Sequence, residues 1–342
     1  IFFLSCLIIL FLIGCLGIYF LKKDSADGRA FIWKISIQTI LHNPLGVGIG
    51  NFSGTYVNEQ AKYFKTTNGS ELEQHVADSP EYAFNEYLQI CIEHGIITFL
   101  IFISVIGYSI YIGVKRKQTA ALSSLIALLI AASMSYPFSV LPFLIVLVFL
   151  LALIHLDASA KAIKIRLFIP QVVFTIIVFV CLYNRYPTYQ SYKQWHNASD
   201  LYHSGSYNNA VKEYAQLYPQ LSDQIKFLFE YAQCLSKTEQ YESSNQTLRK
   251  AIRLSGDPMV YNIMGKNHQG MKQYSEAEQC FRIAAHIVPN RIYPYYLLTL
   301  LYMETGDSTK AKETAKIVLT KEPKVQSTAI REMREQVKEI LQ

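Results

Sequence analysis

The chain is poor in the residues that would announce a disulfide scaffold or a metal centre. It has six cysteines in 342 residues, and no two form a Cys-x-x-Cys pair. Cys6, Cys15 and Cys181 fall in long apolar runs, and Cys91, Cys234 and Cys280 are far apart in sequence at helical positions, a distribution that excludes the clustered spacing of a disulfide framework. The histidines form no metal-ligand spacing with a carboxylate; His196, His203, His268 and His286 read as surface or packing residues, so neither metal nor cofactor is expected. Charge is also scarce, at 17% of residues against about 25% in ordinary soluble domains. The net charge of +6 comes largely from clusters flanking apolar runs, and no nucleic-acid partner is expected.

Where charge is missing, apolar residues take its place. Residues 1–21, 96–114, 119–134, 138–156 and 167–183 contain no Lys, Arg, Asp or Glu. A membrane helix needs about 20 mainly apolar residues, so the sequence predicts five spans. The chain opens at Ile1 inside such a run, without a charged leader or a cleavage site; this reads as a span with residues upstream rather than a signal peptide. Lys115, Arg116 and Lys117 form one basic cluster and Lys161, Lys164 and Arg166 another. Placing both in the cytoplasm leaves 22–95 and 184–342 outside, the first of these richer in acids than bases.

The second half is periodic. In "GSYNNAVKEY", "EQYESSNQTL", "KQYSEAEQCF" and "GDSTKAKETA", the register residues Tyr207, Tyr241, Tyr274 and Ser308 are 34, 33 and 34 residues apart. Three positions later comes a small residue (Ala210, Ser244, Ala277, Ala311), four further on Tyr214, Leu248, Phe281 and Ala315. Pro219, Pro258, Pro289 and Pro323 fall near each unit's end. Period and signature resemble the tetratricopeptide family, whose units are helix hairpins of about 34 residues. The expected architecture is all-α: a polytopic helical membrane domain over 1–183, a linker at 184–192, an α-solenoid of four tetratricopeptide repeats over 193–325, and a polar capping helix at 326–342. Solenoids present extended concave surfaces, so a protein partner, or docking of the membrane half, is expected there.

The outer loop opens "KKDSADGRAFIWKISIQTILHNPLGVGIGNF". Ser25 to Asp27 are placed to cap a helix over 28–41, which Pro44 ends. Gly46, Gly48 and Gly50 permit unusual backbone conformations, but no Lys-Ser/Thr follows as in a P-loop. The loop closes with "FNEYLQICIEHGIIT" leading into an apolar run, Asp78 and Ser79 serving as turn and cap residues before it. Arg29 and Trp33 on a short helix, the glycine segment and this closing motif resemble the O-antigen ligase and O-antigen polymerase superfamily, which includes protein O-oligosaccharyltransferases. Asn85, the nine residues that follow, Gly95 and Thr98 fit that family's signature; Phe84 stands at its histidine position.

The resemblance implies transfer of an oligosaccharide from undecaprenyl diphosphate to a hydroxyl of a lipid A core, a glycan or a protein, in a multi-pass bacterial inner-membrane protein with a periplasmic loop and repeats. The family's histidine assists the acceptor hydroxyl and its arginines hold the diphosphate. Phe84 cannot take a proton. Glu86 as base, an imidazole from His75 or His94, and loss of catalysis all remain open. The catalytic candidates are Arg29 and Glu86; Arg29, Asn85, Lys34, Gly48 and Asn51 are the substrate-binding candidates. The rival reading is a membrane-anchored, non-catalytic tetratricopeptide scaffold for envelope assembly.

Overall fold

The computed structural model describes residues 22–156 and 168–341, and every regular element among them is helical. Of the five expected spans, 1–21 lies outside these residues. Three helices build the loop: α1 (Lys23–His42), α2 (Phe52–Thr67) and the short α3 (Glu71–Val76). The first begins five residues before its expected start at Gly28, so Ser25 to Asp27 lie inside it rather than at its cap. The apolar part follows as α4 (Glu86–Lys115), α5 (Thr119–Met134), a 3-10 turn (Pro137–Ser139) and α6 (Leu141–His155).

Two described stretches are long and apolar enough to cross a membrane, Glu86–Lys115 and Gln171–His203. The helices α5 and α6 have 16 and 15 residues, about 24 Å at 1.5 Å per residue, against a hydrocarbon core of about 30 Å. They pack as a hairpin on α4 through Ile106, Leu125, Leu128, Leu147, Leu150 and Ile154. The Arg116 guanidinium donates to the carbonyls of Ile154, His155 and Leu156, placing a cation on the C-terminus of α6, where the helix dipole favours it.

The next helix, α7 (Phe168–His203), is continuous. It runs unbroken through 184–192, where the sequence suggested a linker, because Pro187 is accommodated within it. Its last turns are the first helix of the solenoid, with Ala198 buried among Ala210, Tyr214 and Phe227. The remaining hairpins are α7 with α8 (Tyr207–Leu221), α9 (Ile225–Lys237) with α10 (Tyr241–Leu254), α11 (Met259–Gly270) with α12 (Tyr274–Ile287), and α13 (Tyr293–Glu304) with α14 (Ser308–Thr320). Each register residue begins a second helix, and Ala210, Ser244, Ala277 and Ala311 are all buried where that helix meets the first. Pro219 differs from the other three prolines in lying inside its helix. A final helix, α15 (Thr328–Leu341), buries Val337 against Ile292, Ala315 and Val318.

The loop is docked on the solenoid. Helix α2 lies across the C-terminal ends of α10 and α12, burying Phe52, Tyr56 and Phe64 in one core with Ile287 and Val288. A Cβ built on Gly54 would lie 2.3 Å from the carbonyl of Ile252, and one on Gly256 would lie 2.6 Å from the Val57 side chain, so this crossing requires glycine on both sides. Gly256 N–H donates to Ser53 Oγ (3.0 Å), Tyr261 donates to Asn58 Oδ1 (3.0 Å), Asn290 donates to the His75 carbonyl (2.8 Å), and Gln60 donates to the Ile287 carbonyl. Arg291 and Lys324 both approach the Asp78 carboxylate at 3.8 Å.

Candidate functional site

The glycine segment and the end of the polar helix are one structural unit. Gly95 breaks α4 at φ 86°, ψ 166°. A break inside a helix orphans N–H and carbonyl groups, and the segment at 44–48 supplies their partners. Val47 N–H donates to the Ile92 carbonyl (2.8 Å), Gly48 N–H to that of Glu93 (3.0 Å), and Ile96 N–H to that of Pro44 (2.9 Å). A side chain on Gly46 would meet the Gly95 nitrogen at 2.6 Å, so the two backbones touch. The Glu93 carboxylate completes the unit by accepting from Gly50 N–H (3.1 Å) and Gln89 Nε2 (3.0 Å). Gly48 thus has its N–H committed to the helix break, and Asn51 turns its amide to the Val47 carbonyl (2.9 Å).

Asn85 is the N-cap of α4, its Oδ1 accepting from Tyr87 N–H (3.0 Å) and Leu88 N–H (3.2 Å); this takes the place expected of Asp78 and Ser79. The residue before it, Phe84, sits at φ +51°, a left-handed conformation that bulky residues rarely adopt. Its ring meets Tyr136 edge-on at 5.5 Å, and Tyr136 stacks on Tyr82 at 4.6 Å with an 11° interplanar angle. Above the Phe84 ring, at 5.4 Å from its centroid, lies the Arg29 guanidinium, which also donates to the Met134 carbonyl (2.8 Å). Trp33 holds the same corner from α1 by donating to the Ala83 carbonyl (3.0 Å).

Glu86 is buried, and one oxygen accepts from the backbone N–H groups of Phe138 (2.5 Å) and Ser139 (3.3 Å). The segment carrying Tyr136 is therefore held by Glu86 at Phe138 and Ser139 and by Arg29 at Met134. Tyr136 and Tyr82 carry no sequence motif; the only signal was the Pro-bracketed turn "YPFSVLP" between two apolar runs.

Lys34 lies away from this corner in a second cluster. Its ammonium donates to Glu73 (2.6 Å) and to the Tyr63 hydroxyl (2.8 Å), while Glu73 accepts from Tyr63 (2.9 Å) and closes a capping box with Ser70. Burial pushes the Glu73 carboxyl up, but Lys34, the Ser70 N–H and Tyr63 outweigh it and bring the pKa down from 4.5 to about 2. The stabilisation is therefore complete above about pH 4.5 and is lost as pH falls toward 2. Thermal unfolding of the detergent-solubilised protein should show Glu73→Gln less stable than wild type at pH 7, with the gap narrowing below pH 4.5; a gap unchanged at pH 3 would reject the assignment. His75 and His94 have exposed side chains; the structure uses their carbonyls, which accept from Asn290 and from the Thr98 hydroxyl.

Residues 1–103 match the family model described as O-antigen ligase. The loop thus lies in a segment similar to O-antigen ligases. The match takes in the whole corner formed by α1, the glycine segment and the start of α4, with Arg29, Phe84 and Glu86. Residues 225–258, which contain α9 and α10, match the model of a tetratricopeptide repeat. No curated protein matches the chain. Among solved structures, MamA 41-end from Desulfovibrio magneticus RS-1 is 16% identical over 43% of this chain and 76% of its own, at a TM-score of 0.36. A second MamA crystal structure is 14% identical over 44% and 87%, at 0.35; likeness at this level carries no argument. O-antigen ligases are a membrane-associated family and tetratricopeptide repeats generally mediate protein interactions; the chain thus joins a segment similar to the first to a solenoid similar to the second.

Proposed function

We propose that the chain is part of a multi-pass glycan ligase or polymerase-like transferase of a bacterial inner membrane, moving an oligosaccharide from undecaprenyl diphosphate to a hydroxyl acceptor in the periplasm. The carrying observation is the placement of Arg29. Within the segment matching O-antigen ligases, its guanidinium lies over Phe84 at the polar start of the helix that becomes apolar after Gly95. A guanidinium has five N–H donors in a planar fork suited to phosphate, and the bond to Met134 uses one nitrogen. In the membrane, Leu41, Leu45, Ile49 and Ile97, all strongly exposed, would meet lipid beside the kink and set Arg29 at the depth of a lipid-borne diphosphate. Glu86 acts here by positioning the Tyr136 turn, and Asn85 by starting the helix.

The test is made in the native host with the full-length gene deleted and then restored. Wild type should return a glycan product on a gel, Arg29→Ala at equal expression should reduce it at least tenfold, and Arg29→Lys should recover only part of it. The product that reappears names the acceptor class. One observation favours the scaffold reading: Phe84 occupies the family's histidine position, and the nearby Glu86 oxygen is committed to two backbone N–H groups. Equal restoration by wild type and Arg29→Ala would select that reading.

A further inference from the structure

We propose that the cleft between the outer loop and the second repeat binds a sugar chain, so that the tetratricopeptide solenoid forms one wall of a glycan site. The cleft encloses about 570 Å³, within the range of ligand pockets. Tyr82, Glu81, Gln89 and Glu93 come from the loop; Phe229 and the Asp257–Arg291 pair come from the repeats. Neither domain makes the site alone.

The lining chemistry selects the ligand. A sugar ring offers an apolar C–H face to an aromatic ring and a rim of hydroxyls to side chains that can donate and accept. Tyr82 and Phe229 provide the rings, while Glu81, Glu93, Gln89 and Arg291 provide acceptors and donors. Three carboxylates disfavour a phosphate, and five charged side chains in all disfavour a lipid tail. A polypeptide recognised through its main chain would need free backbone groups, yet the Gly50 and Gly256 N–H groups that line the cleft already donate to Glu93 and Ser53.

The cleft is also connected to the ligase corner. Tyr82, on its wall, stacks on Tyr136, which meets Phe84 beneath Arg29. A glycan whose reacting end lies at Arg29 can run over these rings into the cleft. The identity of the ligand as a glycan rests on the proposed transferase reading; the cleft itself rests on geometry.

The test uses the full chain in lipid nanodiscs and saturation-transfer NMR, which reads binding without turnover. The probes are oligosaccharides released by mild acid from the host's surface polysaccharide and, separately, its lipid-free core oligosaccharide; which one binds distinguishes donor glycan from acceptor glycan. Wild type should bind one of them saturably. Tyr82→Ala, and Ile225→Trp, which fills the cleft from an exposed position on its rim, should each weaken binding at least tenfold. Absence of saturable sugar binding, or binding indifferent to both cleft variants, would overturn the proposal. So would binding of an unglycosylated Ser/Thr-rich peptide in place of sugar. Failure here leaves the Arg29 result in the host standing, so the two readings fall separately.

Discussion

Replacing Gly54 with valine is expected to undock the outer loop from the repeats. A Cβ at this position would stand 2.3 Å from the Ile252 carbonyl and 2.5 Å from that of Arg253. Both are backbone atoms in the last turn of α10, so no side-chain rotation relieves the clash, and α2 must lift. Lifting it stretches the Gly256–Ser53 and Tyr261–Asn58 hydrogen bonds, both 3.0 Å, and opens the core around Tyr56 and Ile287. Overpacking of this kind costs about 3 kcal/mol, which is about 100-fold in local opening. Hydrogen exchange on the full-length protein should show that loss of protection in 52–67 and 252–262, with the helices of the first repeat unchanged. Gly28→Ala is the control: among the described residues, apart from its own helix turn, no atom lies within 4 Å of its built Cβ, and inside a helix the change should stabilise by up to about 1 kcal/mol. Unaltered exchange in Gly54→Val would mean that the loop and solenoid are not packed as described.

Glu230→Ala is expected to have a similar cost at the point where α7 enters the solenoid. Glu230 is 3% exposed, and its carboxylate accepts from the Tyr214 hydroxyl (2.7 Å) and from Trp195 Nε1 (2.9 Å). It joins three helices, α7, α8 and α9. Alanine leaves a fully buried phenol and an indole N–H without their acceptor, at about 3 kcal/mol for two bonds to a charged group. Glu230→Gln retains one acceptor oxygen and should lose about half as much. The chain has two tryptophans, Trp33 and Trp195, so in a Trp33→Phe background urea unfolding followed by fluorescence reports on this junction. A loss below about 1 kcal/mol for alanine would show that Trp195 and Tyr214 find other partners.

The repeats were legible because a 34-residue period combines local signals. A register residue starts each second helix, and small residues mark the crossing, as at Ala210 and Ala277. The linker expected at 184–192 was misleading: the composition changes there from apolar to polar, but backbone hydrogen bonding is indifferent to that change, and the helix continues through Pro187. The early start of α1 was hidden for a related reason. Ser25 and Asp27 are as compatible with a first turn as with a cap, and no side-chain cap bond marks its start.

At the site, the motif residues were legible but their tasks were not. Gly46, Gly48 and Gly95 stand out in the sequence as conformationally free residues, while their purpose, closing a helix break by direct backbone contact, depends on two segments about 50 residues apart. Lys34 and Glu86 announce charge; Glu73 and the Phe138 turn decide what that charge does. Sequence by itself determined the helical content, the apolar runs, the repeat period and the position of Arg29 in a ligase-like motif, since each is written in local composition and spacing. Tertiary structure alone decided that Glu86 pins the Tyr136 turn, that α2 docks on α10 and α12, and that the loop and second repeat enclose a cleft. Those facts rest on side chains and carbonyls meeting across 50 to 230 residues, where only the folded chain sets the distance.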